Sequence, residues 1–359
     1  MRLKKNDMTG TITDDKTRRL GKMLEDARRV AVVTHTRPDG DAIGSSSAMA
    51  CWLSGTCGCE VRLLLPNAMP EFLGFITEEC CPGLVMRYDR EPDEVLRWIA
   101  SCDTVICLDA SGLNRVEGMQ EALREVNARK ILIDHHLDPH SEDFDLVFSE
   151  TRISSASELL FWILLSMTGS DDAGRLPMPV LRALLAGMTT DTNNFANSVF
   201  PGTFEMASKM LEAGVDRDGV LSALYDRCRE NRLRMTGHLL KDKLRILDNG
   251  TAYIVVRTEE LEEYDIREGE LEGIVNIPLT LEKVRLSILL REDSGFFRAS
   301  LRSKRGTSAF RLAERSFNGG GHEQASGGRL YIPDDIEDAS QVEAYVERVT
   351  DGFFALENQ

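Results

Sequence analysis

In the first half of the chain, short β-branched runs end one after another in histidine and aspartate. Residues 30–34 lead into His35-Thr-Arg-Pro-Asp39-Gly-Asp41, residues 104–108 into Asp109, and residues 130–133 into Asp134-His135-His136. Short apolar runs without polar alternation suit strands buried on both faces, as in a parallel sheet. Residues 61–65 add another such run. Helical patterns lie at 18–27, 40–53, 92–100, 119–128, 155–167 and 180–188. This alternation specifies an α/β fold, with an N-terminal, mostly parallel sheet flanked by helices on both faces. Ligands of such sheets bind beyond the carboxyl ends of the strands, which is where these His and Asp residues fall.

The texture changes in the second half. Residues 216–249 are polar, charged and helical in pattern, and read as a connector. Beyond Asn249-Gly250, strand patterns at 252–256, 284–290 and 296–301 combine with helical ones at 309–317 and 341–355. The expected organisation is a first domain over 1–215, a helical connector over 216–249 and a smaller C-terminal α/β domain over 250–359. The Gly319-Gly320-Gly321-His322 segment, leading into Ala325-Ser326-Gly327-Gly328, reads by default as a loop.

Each acidic residue has an ordinary explanation when taken singly. Asp39 or Asp41 could cap the helix that follows Pro38, Asp109 could be a turn residue, Asp191 a helix-end residue, and His135-His136 a pair at the core edge. Their joint occurrence at successive strand ends favours a shared site. Unpaired carboxylates brought together repel one another, and divalent cations relieve that repulsion. Carboxylate and imidazole donors fit Mn²⁺, with Mg²⁺ and Zn²⁺ left open.

The segment His35-x-x-Pro38-Asp39-x-Asp41-Ala42-x-Gly44-Ser45 resembles the first motif of the DHH phosphoesterase superfamily. Asp109 resembles its second motif, and Asp134-His135-His136 the motif that names it. Ser154-Ser155-Ala156-Ser157-Glu158 and Thr190-Asp191-Thr192 resemble later ones, and Gly319-Gly320-Gly321-His322 resembles the DHH-associated C-terminal domain. Motif order is kept over nearly the whole chain. The subtype it resembles is the oligoribonuclease (nanoRNase) and pAp phosphatase group, also described as exopolyphosphatase-related. Many members carry Gly where this chain has Asn193, which leaves the form of the turn after Asp191 open.

The resemblance implies one metal held by His35, Asp39 and Asp109 and a second by Asp41, Asp109, His135 and Asp191, with Asp109 bridging. It implies catalytic roles for Asp109 and for His136, the latter as phosphate contact or acid, while Asp134 orients the histidines. It further implies that Arg302, Ser303, Gly320, Gly321 and His322 grip the far end of a short nucleotide. Arg115, shortly after Asp109, is a further candidate for phosphate. The implied activity is hydrolysis of short oligonucleotides to mononucleotides, and of the 3′-phosphate of pAp, by a hydroxide activated between two metals. Ranked behind it are a cyclic or linear dinucleotide phosphodiesterase, then an exopolyphosphatase or pyrophosphatase, then a non-catalytic nucleotide-binding regulator.

Charge narrows the partners. The 359 residues carry a formal charge of -16, which excludes an electrostatic wrapper of long duplex nucleic acid. Short single-stranded RNA or DNA oligonucleotides, or nucleotide phosphates, remain. They are served by the local basic strip Arg298-Ala-Ser-Leu-Arg302-Ser303-Lys304-Arg305. The eight cysteines show no paired zinc spacing and read as reduced thiols. The polar first fifteen residues hold no apolar signal core, and no apolar stretch is long enough to span a bilayer. A cytoplasmic protein without membrane partners is expected, with monomer and homodimer both open.

Overall fold

The computed structural model describes residues 12–137, 139–226 and 228–357. The chain divides into two compact units, Met1–Arg227 and Cys228–Gln359. The division falls inside the stretch read as a connector. That stretch holds one helix of the first unit, then a helix, a π-helical turn (Leu239–Lys243) and a short strand of the second.

The first unit is built on six parallel strands: β1 (Arg29–Val33), β2 (Glu60–Leu65), β3 (Val85–Arg87), β4 (Thr104–Leu108), β5 (Arg129–Asp134) and β6 (Leu146–Ser149). Their order is β3-β2-β1-β4-β5-β6. Its helices are α1 (Asp14–Glu25), α2 (Gly40–Thr56), α3 (Gly74–Cys80), α4 (Pro92–Ser101), α5 (Gln120–Glu125), α6 (Ala156–Met167), α7 (Met178–Asp191), α8 (Pro201–Glu212) and α9 (Arg217–Tyr225). The pleat of β1 explains why its sequence shows no polar alternation. Val30 and Val32 enter one core with Leu24 of α1, Leu53 of α2, Leu160 of α6 and Leu184 of α7. Ala31 and Val33 enter the other with Ile99 of α4 and Leu123 of α5. Helices therefore cover both faces, and the four buried β1 side chains, residues 30–33, need to be apolar. The edge strands β3 and β6 escaped the sequence reading because runs so short carry no period of their own.

The strand order reverses direction between β1 and β4. In open α/β sheets this switch point leaves a crevice at the carboxyl ends of the two strands. β1 ends just before His35 and β4 just before Asp109, so the topology opens the crevice between these two residues.

The second unit is a mixed sheet of β7 (Arg245–Ile246), β8 (Thr251–Val256), β9 (Leu286–Asp293), β10 (Phe296–Ser303), β11 (Gly320–His322) and β12 (Ala325–Tyr331), ordered β11-β12-β10-β9-β8-β7. Among the described residues of this sheet, only β8 and β9 pair in parallel. Its helices are α10 (Glu230–His238), α11 (Thr258–Glu263), α12 (Ala309–Ser316) and α13 (Val342–Glu357). Tyr253 and Val255 pack with Leu312 and Val346 on one face, while Ile254 and Val256 pack with Met235 and Ile274 on the other. Gly320–His322 of the glycine-rich segment is strand rather than loop. A Cβ on Gly319 would stand 2.0 Å from the Gly327 carbonyl oxygen. Glycine is there for close backbone approach, and the low strand propensity of glycine hid the pairing. Among the described residues, no helix is long and apolar enough to cross a membrane.

Candidate metal centre

Two segments bring His35, Asp39 and Asp109 together, and four bring together Asp41, Asp109, His135 and Asp191. The local sequence explains each placement. Pro38 and Gly40 end the extended chain after β1. Asp39 then caps α2, its Oδ1 accepting from the backbone N–H groups of Asp41 and Ala42 at 3.1 Å each. The cap and the cluster are compatible, because Asp39 Oδ1 also lies 3.8 Å from His35 Nε2. His35 Nδ1 donates to the Thr36 carbonyl at 3.0 Å. That bond leaves Nε2 as the ring nitrogen facing the carboxylates.

Asp109 is 2% exposed and adopts a left-handed backbone, φ 55°. Its two oxygens face different partners. Oδ2 lies 3.7 Å from His35 Nε2, and Oδ1 lies 3.4 Å from His135 Nε2. His135 Nε2 in turn lies 3.5 Å from Asp191 Oδ2 and 3.9 Å from Asp41 Oδ2. Such gaps are long for hydrogen bonds and suit donors that each sit roughly 2.1 Å from a shared cation.

Asp41 is buried at the N-terminus of α6, accepting from the N–H groups of Ala156 at 2.7 Å and Ser157 at 2.9 Å. Those amides are aimed by a buried clamp. Ser155 caps α6, and Glu158 Oε2 accepts from the Ser154 N–H at 3.1 Å and the Thr203 hydroxyl at 2.7 Å. The Ser154–Glu158 motif thus supplies backbone donors to Asp41. The Ser-x-x-Glu signature of a helix start was the signal for this role, but the partner Asp41 lies too far away in sequence to read.

Asp134 takes His136 by both ring and backbone. Its Oδ1 accepts from His136 Nδ1 at 2.8 Å, and its Oδ2 from the His136 N–H at 3.1 Å. His136 also approaches Asp109 Oδ1, at 3.6 Å, but the Asp134 bond is shorter. The turn after Asp191 accepts Asn193 in a left-handed conformation, φ 47°, which Asn tolerates better than most residues. Arg115 is exposed, and its carbonyl accepts from the Thr36 N–H at 2.9 Å, beside His35.

The electrostatics call for positive charge. Burial, then the neighbouring Asp41 and Asp39 carboxylates, push the Asp109 carboxyl well above its usual range. Burial also raises Asp41, despite His135 and the Ser157 donors. Burial by itself would lower the His35 imidazole, but Asp39 and Asp109 beside it hold it above its ordinary value. Asp109 Oδ1 accepts no hydrogen bond among the described residues, which is costly for a buried polar atom. Divalent cations would satisfy that oxygen, face the His35 nitrogen and offset the carboxylate repulsion. The donor set fits them: His35, Asp39 and Asp109 converge, as do Asp41, His135 and Asp191.

In the second unit, Arg302 and His322 both pair in register with Ala325, so they share one sheet face. Gly320 and Gly321 stand beside them on β11. Ser303 lies on the opposite, core-facing side of β10, and its hydroxyl donates to the Thr307 carbonyl at 2.6 Å. Part of the basic strip is neutralised, since Arg298 pairs with Glu268 and Asp293.

Residues 29–188 match the DHH family, N-terminal domain, and residues 250–347 the DHHA1 domain. Over 98% of its length the chain is similar to all of an exopolyphosphatase-related protein from Bacteroides fragilis, at 32% identity and a TM-score of 0.88. The chain belongs to the DHH family. Its phosphoesterases are metal-dependent hydrolases, in keeping with the acidic and imidazole groups described above. Two relatives are named bifunctional oligoribonuclease and PAP phosphatase NrnA. The Bacillus subtilis protein is 26% identical over 84% of this chain and 90% of its own length. The Thermus thermophilus protein is 27% identical over 84% of each.

Proposed function

We propose that this DHH-family protein hydrolyses short oligonucleotides to mononucleotides and removes the 3′-phosphate of pAp. The observation that carries the reading is Asp109, one buried carboxylate whose two oxygens face two separate donor groups. His35, Asp39 and Asp109 would hold one divalent cation, and Asp41, Asp109, His135 and Asp191 would hold the second. Mn²⁺ suits these mixed donors. When bound, such cations supply Lewis acidity and lower the pKa of water.

The side chains divide the remaining work. Asp134 holds the His136 ring in one orientation, so that His136 contacts the phosphate or gives a proton to the leaving oxygen. Asp41 is fixed by the amides of Ala156 and Ser157 and stays in place when the substrate exchanges. Arg115 neutralises a phosphate near His35. Arg302 and His322 bind the substrate through the exposed face of the second sheet, with Gly320 and Gly321 giving the backbone room. Ser303 serves the loop through Thr307 rather than the substrate.

The test is a panel with Mn²⁺: pAp, a 5′-phosphorylated dinucleotide, a longer RNA, a cyclic dinucleotide and pyrophosphate. Metal-dependent turnover of the dinucleotide and pAp is expected, with Asp109→Ala reduced to background and still folded. Near-wild-type turnover in Asp109→Ala, or no turnover of either substrate by the wild type, overturns the reading.

A further inference from the structure

The acidic and imidazole groups leave one feature beside Asp191 without a role. α7 ends at Asp191, and the chain then passes through three successive residues in the left-handed region: Asn193 (φ 47°), Asn194 (φ 54°) and Phe195 (φ 67°). Residues with a Cβ rarely adopt this conformation, and a bulky Phe least of all. Where it persists, the surroundings over-determine it, and such strain collects at functional sites. Here the loop is pinned on all sides. Asn194 N donates to the Thr189 carbonyl at 2.8 Å, Phe195 N to Thr192 Oγ1 at 3.1 Å, and Arg217 Nη2 to Asn194 Oδ1 at 3.0 Å.

The outcome is that Phe195, four residues past Asp191, lies on the ring of Phe204, with centroids 5.4 Å apart and planes 19° from parallel. Phe204 follows Thr203, the residue that donates to Glu158 in the clamp behind Asp41. Phe195 thus lies on the segment that follows Asp191, and Phe204 on the helix whose Thr203 meets the Glu158 clamp. Phe195 packs partly against the core, whereas Phe204 is 55% exposed. A solitary exposed apolar residue needs no explanation. A stacked pair, held by a strained loop just past Asp191 and joined through Thr203 to the Glu158 clamp, does.

We propose that Phe195 and Phe204 form a stacking platform for a nucleobase of the substrate whose phosphoester is hydrolysed at the Asp41–Asp191 group. The inference rests on the nucleotide reading above and deepens it. Every base presents a π-face, so aromatic stacking tolerates any sequence. Phe carries no hydrogen-bonding group and reads a base by shape alone, favouring the larger purines. Polyphosphate and pyrophosphate have no face to stack. The platform therefore selects nucleotides over inorganic phosphoanhydrides without selecting a sequence.

The experiment measures KM and kcat for the 5′-phosphorylated dinucleotide pApA and for its fully abasic counterpart, in the wild type, Phe195→Ala, Phe204→Ala and Phe204→Trp. Phe204→Ala is expected to raise KM for pApA roughly 5- to 150-fold, the range of one lost stacked base, with a much smaller effect on kcat. The abasic substrate, bound poorly by the wild type, is expected to be insensitive to the substitution, and Phe204→Trp restores the pApA value. An unchanged KM for pApA in both alanine variants overturns the platform, as does an equal rise for the abasic substrate. Failure of the wild type to hydrolyse pApA at all strikes instead at the nucleotide reading, so the two failures are distinguishable.

Discussion

Asp134 holds His136 at two points, the ring through Nδ1 at 2.8 Å and the backbone N–H at 3.1 Å. One buried carboxylate thereby sets both the orientation of the imidazole and the turn that presents it. Asp134→Asn keeps the shape but replaces the acceptor at one oxygen by an amide donor. Loss of such an orienting partner typically lowers activity about 10- to 100-fold. The expected result is a fall of that size in kcat for pApA, with KM little changed, measured at saturating Mn²⁺.

Asp109 is the residue whose removal should separate metal binding from folding. Its carboxylate is buried among Asp39 and Asp41, and its Oδ1 accepts no hydrogen bond among the described residues. In metal-free protein, Asp109→Asn removes a source of repulsion and is expected to leave Tm equal or higher. Wild-type protein with Mn²⁺ at a hundred times its Kd gains about 2.7 kcal/mol, and the variant is expected to lose most of that gain. Thermal unfolding with and without Mn²⁺ checks both parts. A variant that keeps the full Mn²⁺-dependent rise contradicts the bridging role.

The crossing of α2 and α7 sets the separation of Asp41 from Asp191. A Cβ on Gly44 would stand 2.7 Å from the Ala183 carbonyl oxygen and 2.8 Å from the Gly187 Cα, both backbone atoms that cannot rotate away. Gly44→Ala therefore forces the helices apart. Overpacking of this kind costs about 1–3 kcal/mol. Denaturant unfolding is expected to register the loss, and metal affinity should fall with it.

Arg302 and Ser303 are neighbours in sequence on opposite faces of β10. Arg302→Ala is expected to raise KM for pApA while leaving Mn²⁺ affinity unchanged. Ser303→Ala removes the bond to the Thr307 carbonyl, which lowers stability by about 0.5–1.5 kcal/mol without changing KM. Kinetics and unfolding of the two variants, compared side by side, distinguish a substrate contact from a loop clamp.

His238 links stability to pH in the second unit. Its ring bonds Glu260 and Asp242, at 2.9 and 3.0 Å, and the Glu260 bond is the leading reason its pKa is raised above 6.5. A raised folded-state pKa stabilises fully below the unfolded value, and the benefit is lost as pH climbs through the raised one. The contribution is about 1 kcal/mol or less once solvent screening of the half-buried pair is allowed for. Amide exchange in α10 is expected to quicken as pH rises from 6 to 8, beyond its intrinsic pH dependence, and His238→Gln should flatten that excess.

Much of the first unit was readable in advance because its strands are buried on both faces and its chemistry lies at their ends. Val30–Val33 and Val105–Leu108 could be nothing but interior strand, and the residues after them had to emerge at one edge. The short strands β3, β6 and β11 were not readable, since their place is decided by the neighbours they pair with. Glycine at 319 looked like a loop signal and proved to be a strand contact.

Sequence alone determined which groups gather into the candidate metal centre, because His35, Asp39, Asp41, Asp109, His135 and Asp191 each sit where an apolar run or helix must end. Only the tertiary structure decided how they are used. The two oxygens of Asp109 face two different groups, Asp41 takes its donors from Ala156 and Ser157 more than a hundred residues away, and Ser303 turns from the face that Arg302 and His322 share. These facts depend on side-chain direction and on contacts between distant segments. Periodicity along a chain encodes the face of an element, but not the atom that meets it.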